Sequence, residues 1–305
     1  MIIRIGNSGS PRWYDAPDRG FEAYLDHLVE WGATSAEIVL HHGPYDERTA
    51  RVHVLDPEWL STVRTYQERG IAVQIHVSLD ARFATARWSD DRQGLTSEFE
   101  PIIELAEEIA ELQERLAVVI HGASDPQASV SQNEDTTAGL LDWLATAITT
   151  RTLPAFAALE LGAFKPDRET TAARSRASVM SVVTKVDSDR AGICWDLAHD
   201  YENAANEPRW TVDPAEDFLR RVVHVHVHDV DDDGLAHYPL LLGSVPFREQ
   251  LEALTRLGHL PSMTMEVRWL CASRLGDPWE MLGRSYEVAW RTLDGLTTSA
   301  ERRPA

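Results

Sequence analysis

Lysine is almost missing from this chain: Lys165 and Lys185 are its only two, so nearly all of its positive charge is arginine. With 29 basic side chains against 49 acidic ones, the formal net charge is −20. Such a surface repels phosphate backbones at long range and argues against a nucleic-acid partner, although a local basic groove is compatible with it. Cysteine is equally scarce. Cys194 and Cys271 stand alone without CxxC spacing, which excludes a disulfide framework and suits a reducing, cytoplasmic setting. No run of about 18 apolar residues appears, so no membrane span is expected. The opening Met-Ile-Ile-Arg-Ile-Gly lacks the charged and then apolar pattern of a signal peptide. No GxGxxG follows the first expected strand and no P-loop is found, which removes the usual dinucleotide and nucleotide cradles.

What is present is an alternation. Val222 to Asp229 reads Val-Val-His-Val-His-Val-His-Asp, so on an extended strand His224, His226 and His228 share one face and Val223, Val225 and Val227 the other. Valine suits a covered strand face. Imidazoles carry polar nitrogens that need partners when buried, so their face belongs to a polar interior, either a hydrogen-bonded core or a metal site.

Around this strand the chain repeats one unit. Expected strands lie at 2–5, 36–40, 71–77, 117–120, 157–161, 192–196, 222–229 and 263–267. Helical spacing fills 21–31, 59–68, 98–116, 136–149, 169–186, 214–220, 247–257 and 278–293 between and after them. Eight strands alternating with eight helices, with no composition break to mark a linker, argue for a single-domain (β/α)8 TIM barrel over residues 1–295, followed by a polar, flexible C-terminal tail at 296–305.

Of the twelve histidines, only His27, His53 and His259 fall away from strand ends. His41, His42, His76, His121, His199, His224, His226, His228 and His237 lie on strands or the loops leaving them, where barrel enzymes build their sites. Glu160, Asp196, Asp229 and Glu266 add carboxylates from strands five to eight. A cation held by Glu160, Asp196, His226 and Glu266 would have an oxygen-rich shell suited to Mn²⁺, Mg²⁺ or Co²⁺, with Zn²⁺ open if more histidines join. Arg268, two residues past Glu266, offers a charge for a substrate phosphate or carboxylate. Trp13, Trp210 and Trp269 are candidate walls for a sugar ring.

The segments Ala-Leu-Glu160-Leu-Gly, Cys-Trp-Asp196-Leu-Ala-His199, His-Val-His226-Val-His-Asp229 and Met-Glu266-Val-Arg268 resemble the xylose isomerase-like TIM-barrel superfamily. That group includes sugar epimerases, hydroxypyruvate isomerases, inosose dehydratases and the endonuclease IV family. The resemblance implies that Glu160, Asp196, His226 and Glu266 carry the common metal. It also implies that Glu160 and Glu266 are the catalytic acid/base pair of a sugar or polyol isomerase or epimerase working through a metal-stabilised enediolate. His76, His121, His199 and His237 then bind substrate or a second metal. The endonuclease branch, a metal-dependent phosphodiesterase, is the alternative, as is a dehydratase or lyase. The Asp of that branch two residues before His237 is Leu235 here, and the first Gly of its His-x-x-x-Gly-x-Gly element is Leu241. The expected partner is therefore a small sugar or polyol, without nucleic acid or membrane, and with room for homo-oligomerisation.

Overall fold

The computed structural model describes residues 5–8, 20–41, 57–78, 87–164, 169–258 and 260–301. The first expected strand, at 2–5, is largely outside these residues, as are Trp13, His42, His53 and His259. Eight parallel strands follow one another in chain order round a closed barrel, a single-domain TIM-barrel fold. They are β1 (Ile5–Ser8), β2 (Ser35–His41), β3 (Ala72–Ser78), β4 (Leu116–Ile120), β5 (Ala155–Glu160), β6 (Ala191–Asp196), β7 (Val222–Val227) and β8 (Ser262–Met265).

Two compact halves make up the chain, one of Glu37–Trp195 and the other of Met1–Ala36 with Asp196–Ala305. In the first, β4 lies between β3 and β5, with Val118 opposite Ile75 and Ala157, and β6 continues the sheet with Cys194 opposite Glu160. The strand residues 116–120 are all fully buried. Such unbroken apolar runs are what a parallel strand covered on both faces requires. Helices α3 (Trp88–Ala110), α4 (Val130–Thr150) and α5 (Arg176–Lys185) accompany them. Helix α4 begins with a capping box, Ser129 Oγ accepting from the Gln132 N–H while Gln132 reaches back to the Ser129 N–H. Its buried stripe of Leu140, Leu141, Leu144 and Ile148 recurs at helical spacing.

In the other half, β8 pairs with β7 and β1, placing Thr264 between His226 and Gly6. Helices α1 (Gly20–Glu30), α6 (Leu197–Asn203), α7 (Glu216–Arg221), α8 (Phe247–Arg256), α9 (Trp269–Leu275) and α10 (Pro278–Glu301) belong here, and α2 (Pro57–Glu68) to the first half.

The expected elements are corrected in several places: helix α4 starts at Val130 rather than 136, α5 at Arg176 rather than 169, and β7 ends at Val227 rather than 229. Helices α6 and α9, seven residues each, replace expected loop; so short a helix leaves little periodicity to read. Helix α3 starts ten residues before the expected 98, absorbing Pro101 in its interior and a non-helical Asp91 near its start. Helix α10 continues through Gly295 to Glu301, past the expected end at 293 and into the segment read as tail. One glycine costs a helix only about 1 kcal/mol, too little to end one that is otherwise packed. Glu266, expected within a strand 263–267, follows β8 rather than belonging to it, as does Arg268.

Candidate metal and acid-base site

Histidine alternation on β7 resolves into two different roles. His224 Nδ1 meets Ser262 Oγ at 2.7 Å and its Nε2 meets Thr264 Oγ1 at 3.1 Å. Both ring nitrogens are thus satisfied by hydroxyls of β8, and His224 is a hydrogen-bonded core residue. His226, two residues on and fully buried, instead faces carboxylates: its Nδ1 is 3.3 Å from Glu266 Oε2 and 3.9 Å from Asp196 Oδ2. Donor atoms bound at about 2.1 Å to one cation stand roughly 3.0–3.5 Å apart for octahedral or tetrahedral shells and about 4.2 Å across an octahedron, so this spacing suits a shared ion.

Asp196 ends β6 and caps α6. Its Oδ1 accepts from the Ala198 and His199 N–H groups at 3.0 and 2.8 Å, which turns Oδ2 towards the histidines. His199 Nδ1 and His228 Nε2 each approach Oδ2 to 3.1 Å. His237 lies in the loop after β7 with a left-handed φ of 69°, unusual for a residue with a Cβ. Its Nδ1 donates to the Glu266 backbone carbonyl at 3.1 Å, and its own carbonyl accepts from the Arg268 N–H at 2.9 Å. That bond fixes the hydrogen on Nδ1 and leaves Nε2 as the basic atom. Burial, with the positive charge of Arg268, outweighs the attraction of Glu266 and lowers the His237 pKa to about 3, so the ring is neutral. Arg268 itself is exposed.

A second cluster stands in the other half of the chain, on β2 to β5. His76 Nε2, His121 Nε2 and Glu160 Oε2 form a triangle with sides of 2.9, 3.0 and 3.1 Å. An octahedral cation with bonds of about 2.1 Å has face edges of about 3.0 Å. His76 Nδ1 is backed by Glu37 Oε1 at 3.2 Å, a carboxylate behind a candidate ligand histidine. Burial opposes charge on His76, but hydrogen bonding to Glu160 and Glu37 and their negative charges outweigh it and raise its pKa to about 10. The surroundings of this ring therefore favour positive charge. Glu37 escaped the sequence reading because a lone glutamate among the apolar residues of β2 gives no motif; only its burial at 1% exposure and its partner identify it.

Of the other expected residues, His121 has 38% of its side chain exposed. Trp210 donates to Asp200 Oδ1 at 3.1 Å, and Trp269 packs edge-on to Trp279 at 5.0 Å. Both have structural partners. Gly122 follows His121, and a Cβ there would stand 2.3 Å from the Ala172 carbonyl oxygen. Gly122→Ala must push backbone against backbone, so it is expected to destabilise the protein by about 2–4 kcal/mol and to displace His121. Chemical denaturation measures this; a loss below about 0.5 kcal/mol would mean the loop yields freely.

Three comparisons bear on the whole arrangement. A family model described as xylose isomerase-like TIM barrel matches residues 25–285. Among solved structures, a D-tagatose 3-epimerase-like protein superposes with a TM-score of 0.69 at 18% identity, covering 98% of this chain and 100% of that one. An IOLI protein with a bound zinc atom gives 0.66 at 14%, covering 97% and 99%. An AP endonuclease, family 2, from Brucella melitensis gives 0.64 at 13%, covering 88% and 93%. At these identities the likeness is one of fold. No curated protein matches the sequence.

Proposed function

Because the chain belongs to the xylose isomerase-like TIM-barrel family, we propose that it is a divalent-metal-dependent isomerase or epimerase of a sugar or related polyol. The observation that carries this reading is the buried set of Asp196 Oδ2, His226 Nδ1 and Glu266 Oε2, spaced as ligands of one cation. We assign Glu160 to the same ion. Glu160 ends β5 as Asp196 ends β6, each a carboxylate at a strand exit. Three carboxylates and one imidazole suit Mn²⁺, Mg²⁺ or Co²⁺, and neighbouring imidazoles keep Zn²⁺ open.

A cation held there supplies electrophilic stabilisation of negative charge developing on substrate oxygens. The protein does the rest. Glu160 and Glu266 are the proton-transfer pair, one carboxylate oxygen taking a proton from substrate carbon and the other returning one. His237 presents a neutral Nε2 for a substrate hydroxyl, and the exposed Arg268 holds an anionic substituent. No helix among the described residues is long and apolar enough to cross a membrane, and the substrate in this reading is a small molecule.

A second reading is favoured by the His76–His121–Glu160 triangle, whose edges suit a further cation and hence a phosphodiester-cleaving enzyme. The net charge of −20 and the exposed Leu235, in place of a carboxylate, weigh against it. The test is to strip the protein with a chelator, reload it with each metal, and incubate it in D₂O with a panel of ketoses and polyols. Deuterium entering a substrate C–H bond only in loaded samples is the expected result. Nicking of abasic-site duplex without any such exchange would replace the proposal with the second reading. Loss of water from a panel member would move it to a dehydratase.

A further inference from the structure

His199, His228 and His237 draw together like the ligands of a three-nitrogen cation site, with ring centroids 5.2 Å apart for His199–His228, 4.4 Å for His228–His237 and 5.6 Å for His199–His237. The hydrogen bonds of the middle ring say otherwise. The His237 backbone N–H, which can only donate, reaches His228 Nδ1 at 3.0 Å. Nδ1 must therefore present its lone pair, and the ring hydrogen must sit on Nε2. A longer approach of Nδ1 to the Asp229 carbonyl, at 3.4 Å, would need the opposite tautomer. That oxygen already accepts from the Tyr238 N–H at 3.1 Å, and a hydrogen on Nδ1 would point at the hydrogen of His237. The shorter bond decides. Nε2–H then donates to Asp196 Oδ2 at 3.1 Å, and every atom of this chain of bonds is buried.

We infer that His228 is a positioning residue rather than a ligand: it takes the His237 N–H on Nδ1 and holds Asp196 Oδ2 with Nε2–H. This couples the loop that carries His237 to the carboxylate at the end of β6. A neutral imidazole so engaged has no lone pair left for an ion, so the histidine trio is not a separate cation site. For Asp196 the consequence is orientation. Oδ1 is fixed by the cap of α6, Oδ2 is fixed by His228, and one rotamer of the carboxylate remains. The role in cation binding rests on the function proposed above; the tautomer of His228 does not.

The first experiment uses the full-length, metal-free protein labelled with ¹⁵N-histidine, recording long-range ¹H–¹⁵N correlations near neutral pH, with His228→Gln supplying the assignment. Expected is an unprotonated Nδ1 and a protonated Nε2 on His228. A proton on Nδ1, alone or on both nitrogens, overturns the inference. The second titrates Co²⁺ and follows its visible absorption, a readout independent of turnover. Glutamine places an amide N–H near the position of Nε2, whereas asparagine reproduces only the acceptor near Nδ1. His228→Gln should bind Co²⁺ within about threefold of wild type, and His228→Asn should bind at least about tenfold more weakly, at unchanged stoichiometry. Loss of one equivalent of Co²⁺ in both variants would make His228 a ligand and overturn the inference. Wild-type affinity in both variants would equally overturn it. A wild-type protein that takes up no Co²⁺ at all would sink the proposed function, and the tautomer measurement would still decide the bond.

Discussion

Asp229→Ala is expected to lower stability by about 3–5 kcal/mol and the melting temperature by roughly 10 °C, although Asp229 is assigned no ligand role. Its carboxylate, 2% exposed, collects five backbone N–H groups. Oδ1 accepts from Val230, Ser244 and Val245 at 3.1 Å each, and Oδ2 from Leu242 and Gly243 at 2.9 and 2.7 Å. Bonds to a charged acceptor contribute about 1.5–3 kcal/mol each in isolation, but they do not add. Leu242 and Gly243 are exposed and can turn to water, whereas Val230 and Val245 are buried and would be left with unmade bonds. The same residue pairs its backbone with Tyr238 in both directions, at 2.8 and 3.1 Å, next to His237. Unfastening it therefore loosens the segment 229–246 as a unit. Asp229→Asn should cost less, because its oxygen still accepts while its amide turns hydrogens towards two N–H groups. Denaturation curves, with limited proteolysis of the 229–246 segment, provide the check. A loss under 1 kcal/mol with unchanged proteolysis would show that the loop holds itself.

The features legible in the sequence share a physical origin. Alternation of valine and histidine reflects a strand with one apolar and one polar face, and repeated apolar runs ending at polar residues reflect strands buried on both faces. Glu160, Asp196, His226 and Glu266 stand out as candidates in the sequence because each is a polar residue at the end of an apolar strand pattern. Glu37 could not. It is buried behind His76 and acts through it, and such partners leave no spacing to read. The separation of His224 from His226 was also hidden, because it depends on Ser262 and Thr264, which the β7–β8 register brings opposite them. Nor could the sequence show that His237 would adopt a left-handed backbone conformation, with Nδ1 turned to the Glu266 carbonyl and Nε2 left as the base. Local propensity sees neighbours along the chain, and these contacts are all between distant segments.

Glu160→Ala should have the largest effect on cation binding, and comparison with His121→Ala makes the result interpretable. Glu160 Oε2 closes the triangle with His76 and His121, and we assign the same carboxylate to the ion of Asp196, His226 and Glu266. Its removal takes a ligand from both positions at once. His121→Ala takes one from the triangle alone, and its partly exposed ring leaves little cavity behind. Elemental analysis after dialysis against Zn²⁺ or Mn²⁺ should therefore find most cation lost in Glu160→Ala. In His121→Ala one equivalent should remain, held by the other set. Stability gives an independent reading, since a ligand at a hundred times its dissociation constant stabilises the native state by about 2.7 kcal/mol. Wild type should melt several degrees higher when loaded, His121→Ala should keep most of that gain, and Glu160→Ala should show almost none. Turnover, once a substrate is in hand, should fall by at least about 10³-fold in Glu160→Ala, because both the proton carrier and the cation are affected. Equal loss of metal in both variants would place the cation in the triangle alone and withdraw Glu160 from the Asp196 set. Full metal content in Glu160→Ala would remove Glu160 from cation binding altogether and leave its burial beside two histidines as an ordinary ion-pair cluster.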